Sequence, residues 1–310
     1  MNTEIIKTEA IEKACSDGNF DIAALMKKSR HKAELPLIVI AVFLNFVILF
    51  SAAYYFKLLH DGNGIITDVA SWWLTLSSEE IDFLANSEAF FIPAFFILLI
   101  IKILFDIKKL YHSGYANGVR VSDAQFPEIY SMEKTFGKLM NFKKTPKVFI
   151  NSDSEESNIM GVTIHSKTFL NISPGVAIYT PSLSQFIIAR EYAHVYYGHR
   201  SLLFYLLTFS SHAIPIFGKL LRRCTEYSAD RVAQTLLGDE MALDCLVKSC
   251  VHYLTVRELN VDEYLKIMRS PCGKEASLYY LWLNMNASMP INRYRIQAML
   301  DPEKKDGRLL

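Results

Sequence analysis

Residues 190–194 read Arg-Glu-Tyr-Ala-His, and the chemistry they bear on is that of a metal-bound water. On a helix, positions 190 and 194 share one face. Histidines at both, with a glutamate at 191, would offer two imidazole nitrogens to a divalent metal and a carboxylate to take a proton from its water. Glu191 and His194 are present, but Arg190 stands where the first histidine belongs. A guanidinium is always charged and has no acceptor lone pair, so it cannot ligate a metal. Further on, Glu226 and Asp230 again share a helix face. A glutamate from a second helix is a common third zinc ligand, and a carboxylate one turn later can orient a ligand. Taken alone, the first segment is more often an ordinary helix with surface charge beside a core histidine. The second carboxylate pair is what makes the metal reading worth following.

The elements that must position these residues are legible around them. A helix carrying 190–194 opens near Thr180-Pro181, a favourable N-cap followed by proline at the first helical position; Ser182 to Gln185 is an alternative capping box. Before it, a helix is expected over 122–141 and strands over 148–151, 158–162, 168–172 and 176–179. Residues 152–156 form an acidic turn. The run 201–218 is apolar and is expected as a buried helix, an interfacial segment or a hairpin that returns; the favoured form is a helix packed against the domain and dipping into the membrane face, broken by Pro215 and Gly218. A single crossing there would separate His194 from Glu226. Residues 227–253 read as helix with a break at Gly238-Asp239. The aromatic stretch 278–283 reads as core. Cys224 also reads as core.

These pieces, in this order, resemble the membrane zinc metallopeptidases of the HtpX and CaaX prenyl protease type. Phe126-Pro127-Glu128-Ile129-Tyr130 to Asn141, then Pro146 to Ile150, resemble that family's leading helix and first strand. Ser157-Asn158-Ile159-Met160-Gly161 resembles its edge segment, and His199 falls where a histidine often follows the zinc helix. Ser288-Met289-Pro290-Ile291 with Arg295-Ile296 resembles its closing motif. The departures are Arg190 for the first histidine, Met289 for the closing histidine and Ile291 for a proline. The resemblance covers residues 126–300. It implies an α+β, mainly helical, gluzincin-like domain with zinc as cofactor. Glu191 would be the catalytic base, His194 and Glu226 metal ligands, and Asp230 and His199 supports behind them. Asn158, Ile159, Met160 and Gly161 would bind an extended peptide by strand addition.

Two uncharged or nearly uncharged runs, 35–56 and 89–107, are each long enough as helices to cross a bilayer core of roughly 30 Å. Lys27, Lys28, Arg30 and Lys32 precede the first; Lys108 and Lys109 follow the second; the loop 57–88 is acidic. The positive-inside rule then puts both termini in the cytosol and the loop outside or in a lumen, with Trp72 and Trp73 near the interface. The expected organisation is a cytosolic arm (1–34), a two-span transmembrane anchor (35–107), a metallopeptidase-like domain (115–300) and a solvated tail (301–310). Five scattered cysteines among 310 residues, without a Cys-x-x-Cys pair, point to free thiols in a reducing compartment. A net charge of +1 and a 51% hydrophobic composition exclude a disordered chain and offer no basic surplus for nucleic acid.

Three functional readings follow from Arg190. The chain is a pseudopeptidase that keeps its groove as a membrane-bound binding or regulatory module for proteins or peptides. Alternatively it is an active zinc-dependent membrane endopeptidase, of use in membrane protein quality control, that recruits His165, His199 or His212. Or it is an enzyme sequence with a substitution at 190. His199 is expected to point off the shared face. Without zinc, Arg190 is expected to occupy the vacant metal position and bond Glu226, Asp230 or both, rather than swing out to solvent.

Overall fold

The computed structural model describes residues 21–60, 65–151, 160–164, 167–251, 255–269, 274–287, 289–301 and 307–309. The chain is mainly helical with one small sheet. Helix α1 (Ile22–Ser29) starts at Asp21, whose carboxylate accepts hydrogen bonds from the backbone N–H groups of Ala23 and Ala24. The apolar run that follows forms α2 (Glu34–His60), and its outward face is bare: Val39, Phe43, Phe46 and Phe50 are all exposed. Then come α3 (Ile65–Trp73) and the 40-residue α4 (Ser78–Asn117), which packs back against α2. Buried Glu88 joins these three helices: it accepts from Thr67 N (3.0 Å) and Oγ1 (2.9 Å) and from the Tyr55 hydroxyl. Among the described residues, one stretch is long and apolar enough to cross a membrane, Glu34–Leu58, and only 6% of its most apolar window is buried. The second expected span, 89–107, lies inside α4.

The sheet holds β1 (Val119–Arg120), β2 (Lys147–Ile150), β3 (Met160–Ile164) and β4 (Lys167–Ile172) in the order β1-β2-β4-β3. β1 is antiparallel to β2, β2 parallel to β4, and β3 antiparallel to β4 with Gly161 opposite Leu170. β3 is thus an edge strand, and it lies against the helix that carries Arg190. Helix α5 (Pro127–Leu139) covers the sheet. Its buried Glu133 holds Arg120 through two 2.5 Å bonds and accepts from Val148 N at 2.9 Å, so one carboxylate ties β1, α5 and β2 together. The short α6 (Pro174–Ile178) leads into α7 (Pro181–Tyr196).

Five local expectations need correction. Residues 176–179 are not a strand: Ser173 caps Gly175 N and Pro174 occupies the first helical position, which starts α6 instead. The apolar run after His199 is broken into α8 (Leu202–Leu207) and α9 (Phe209–Ala213), whereas Pro215 begins α10 (Pro215–Leu237) and Gly218 lies within it. The break at Gly238 (φ 88°) falls where expected, but α11 (Asp239–Lys248) ends before 253. After α12 (Val261–Arg269) comes α13 (Lys274–Asn286), where Leu278, Tyr279 and Trp282 are exposed rather than core; Asn284 of that helix is buried, and its backbone carbonyl accepts from Arg223. The tail after α14 (Asn292–Leu300) is not wholly solvated. Arg223 donates to Leu309 O and Tyr227 OH to Arg308 O, which docks residues 307–309 on α10. The core lies between α5, the sheet, α7, α10 and α11, with Phe186, Ile188, Tyr192, Val232 and Leu246 among its buried members, as is Cys224.

Helix α7 ends in a Schellman turn. Gly198 has φ 77°, His199 N donates to His194 O (2.9 Å) and Gly198 N to Val195 O (3.0 Å). An L side chain is strained in that left-handed conformation. Gly198→Ala is therefore expected to lower stability by about 1–2 kcal/mol, read as a shifted midpoint of denaturant unfolding; an unchanged midpoint would show that the turn tolerates a side chain.

Candidate functional site

Helices α7 and α10 lie along one another and bring their two polar faces together. The Arg190 guanidinium sits between the carboxylates of α10. Its Nη2 donates to Glu226 Oε2 at 2.6 Å, and its Nε lies 2.5 Å from Asp230 Oδ1. The second contact is an ion pair off the N–H axis, since Nε has no aligned hydrogen-bond partner. Arg190 is 14% exposed and both carboxylates about 4%, so the pair is largely dry. Arg295 of α14 grips Asp230 from the other side with two 2.8 Å bonds, Nε to Oδ2 and Nη2 to Oδ1. The expectation that residue 190 turns inward onto both carboxylates is met, and the outward-swung alternative is not.

Glu191 is buried and faces Arg200, whose Nη2 lies 3.3–3.4 Å from both of its oxygens. Three guanidiniums (Arg190, Arg200, Arg295) thus meet three carboxylates (Glu191, Glu226, Asp230). Burial alone would raise the Glu226 carboxyl, but His194, Arg190 and Arg200 hold it well below the usual carboxylate range. Asp230 is likewise lowered, because Arg190 and Arg295 outweigh its burial. Burial opposes the charge of Arg200, and Glu191 and Glu226 more than restore it, raising its pKa.

His194 is almost fully buried. Its Nδ1 lies 3.1 Å from His199 Nδ1, and His199 Nε2 lies 3.0 Å from Glu34 Oε1. The Schellman turn brings His199 back beside His194, which corrects the expectation that it points away; straight-helix spacing does not apply across a left-handed residue. Burial pushes the His199 imidazole down to about 4, against the pull of Glu34. The tautomers follow from the partners. A carboxylate only accepts, so a neutral His199 donates from Nε2 and accepts at Nδ1, and His194 must donate from its own Nδ1. His194 Nε2 lies 3.7 Å from Glu226 Oε2 and makes no hydrogen bond among the described residues. Glu34 also takes Arg30 Nε at 3.0 Å and the Ser228 hydroxyl, so the start of α2 is bolted to α10 and to the turn after α7.

His194 and Glu226 would suit a zinc ion as donors, but the third position is filled by a cation. Among the described residues no three His, Cys, Asp or Glu side chains converge to hold a metal. The donor set does not fit a catalytic zinc, which needs three protein ligands. Of the proposed peptide-binding residues, Met160 and Gly161 lie on the edge strand β3, while Asn158 and Ile159 fall outside the described residues, as does His165; the side chain of His212 does too. Three site residues escaped the sequence reading as members of the cluster: Arg200, Arg295 and Glu34. The only signal for Glu34 was an acid at the mouth of an apolar run. No protein-family model matches the chain, and no curated protein matches it.

Two outcomes follow from the charge lattice. Arg190→Ala leaves Glu226 buried without its closest cation and is expected to destabilise by about 3–5 kcal/mol, measured by denaturant unfolding in detergent. Because Glu226 and Asp230 are lowered on folding, their stabilisation is complete above the ordinary carboxylate values of 4.5 and 3.8 and is lost as pH falls further through their native values. Stability should therefore decline on acidification below about 4.5, and less so in Arg190→Ala; equal acid sensitivity in the two proteins would contradict the pairing.

Proposed function

We propose that this chain is a membrane-anchored, metallopeptidase-like protein of the HtpX and CaaX prenyl protease type in which an arginine takes the place of the metal, and that it acts as a binding or regulatory module rather than as a peptidase. The observation that carries this reading is the Arg190 guanidinium held between Glu226 and Asp230. It supplies the positive charge that the buried carboxylates require, but it cannot polarise a carbonyl or lower the pKa of a water as a Lewis acid does. Arg200 adds a second restraint. A general base must be free to reach the proton it removes, and Glu191 is held by the partly buried Arg200 guanidinium.

Binding would use what the groove retains. β3 is an edge strand against α7, and an extended segment of a protein could add to it through the backbone of the strand that begins at Met160 and Gly161. The anchor would be α2 with a second span over 89–107 in α4. Basic residues before α2 and after 107 favour a cytosolic domain with both termini cytosolic and the loop 57–88 on the far side.

Two measurements test this. Cysteines placed at Ala70 and Asn260 should label from opposite sides of the membrane; labelling from the same side would remove the proposed topology. The purified protein should carry substoichiometric zinc and cleave casein negligibly, and Arg190→His should gain metal, read by elemental analysis and by cobalt absorption. The single substitution should recover little peptidase activity while Arg200 still holds Glu191. Stoichiometric zinc in the unaltered protein, with activity abolished by Glu191→Gln, would overturn the proposal.

A further inference from the structure

The region between the two halves of the site contains a helix break in an unusual place. From Ser201 to Gly218 there is no Asp, Glu, Lys or Arg, and Arg200 and Lys219 bound the stretch. α8 and α9 pack against α2 within this stretch, and the chain turns between them at Thr208. The free carbonyls at the end of α8 are taken by a side chain of α2: Asn45 Nδ2 donates to Leu206 O (3.0 Å) and Leu207 O (2.8 Å). Asn45 Oδ1 accepts from Ser210 N at 2.8 Å, the Ser210 hydroxyl donates to Ala41 O at 2.8 Å, and the Thr208 and Ser211 hydroxyls bond Phe204 O and Thr208 O. Asn45 is the one amide side chain of α2, with ten uncharged residues from Leu35 before it and six hydrophobic or hydroxyl residues to Ser51 after it, and this is its task.

Water would satisfy such carbonyls without help. A side chain reserved for them is what an environment lacking water demands, since unsatisfied backbone groups in hydrocarbon cost several kcal/mol each. Asn45 is eleven residues beyond Glu34, about 16 Å along the helix, roughly half of a ~30 Å hydrocarbon core. On the outside of α8 and α9 the side chains are apolar and bare: Leu203 is 64% exposed and Leu206 56%, with Leu207 and Phe209 also outward. On α2, to which α8 and α9 are packed, Phe43 and Phe46 are likewise bare. We infer that residues 201–214 form a re-entrant segment that dips into the bilayer beside α2, contacts lipid hydrocarbon with its outer face, and returns to the side it entered. The helices of the site, α7 before it and α10 after it, would then be seated on the membrane surface, with the site facing substrates or partners that approach along the bilayer. The inference rests on α2 spanning the membrane, as proposed above.

The chain has three tryptophans, Trp72, Trp73 and Trp282, each exposed. With all three changed to Phe, single reporters Leu206→Trp, Leu203→Trp and Phe46→Trp are read in the full chain reconstituted in phosphatidylcholine vesicles containing lipids brominated at shallow or deep positions. The expected result is loss of most Leu206→Trp emission to deep bromines, as for Phe46→Trp, with little loss to aqueous iodide. Leu203→Trp, nearer the entry at Arg200, should be quenched by the shallower bromines; it carries the same readout if Leu206→Trp does not fold. Iodide quenching of the 203 and 206 reporters, with lipid quenching only at 46, would overturn the re-entrant segment and leave the anchor standing. So would protection from both quenchers, which would signal a protein partner or a second copy on that face. Iodide quenching at 46 as well would remove the spanning α2 and the inference with it.

Discussion

Buried negative charge is the constraint around which this molecule is arranged. Glu226 and Asp230 are fixed one turn apart on α10 and are nearly excluded from solvent, while Glu191 faces them from α7. Like charges desolvated together either take up protons or require cations. The chain meets the requirement with guanidiniums from three places: Arg190 on α7, Arg200 just beyond it and Arg295 on the last helix. Arginine suits this task better than lysine, because its planar fork serves a carboxylate through two donors and its charge survives burial. The arrangement closes the domain, since Arg295 of α14 and Arg190 of α7 both reach Asp230 of α10.

The same cluster continues to the anchor. His194, His199 and Glu34 form a buried line of hydrogen bonds from the site to the first turn of α2, and Ser228 returns it to α10. The His31 backbone also donates to Ser228 at 2.9 Å. The apolar helix is therefore not a tether on a flexible linker. Its first residue is 0% exposed and is a structural part of the site's floor. At the other level, Asn45 and Ala41 hold the α8–α9 break, so α2 touches the domain both at its start and along its length. A domain fastened in this way keeps one orientation toward whatever surrounds α2.

Sequence spacing determined much of this. Helical periodicity put residues 190 and 194 on one face and 226 and 230 on another, because those relations are local and need only the 3.6-residue repeat. The chemistry of arginine excluded ligation at 190 and required that its charge be answered. The apolar run became α2, the break at Gly238 fell where glycine and aspartate meet, and Met160 and Gly161 lie on an edge strand. Tertiary structure decided the remainder, and each case has a physical cause. His199 joins His194 because one left-handed glycine reverses the chain, and a single φ angle lies outside periodic reasoning. Arg200, Arg295 and Glu34 enter the cluster from 9, 65 and 165 residues away from their partners, distances over which only packing sets who meets whom. Asn45, a lone amide in an apolar helix, has no meaning until the carbonyls of Leu206 and Leu207 lie beside it.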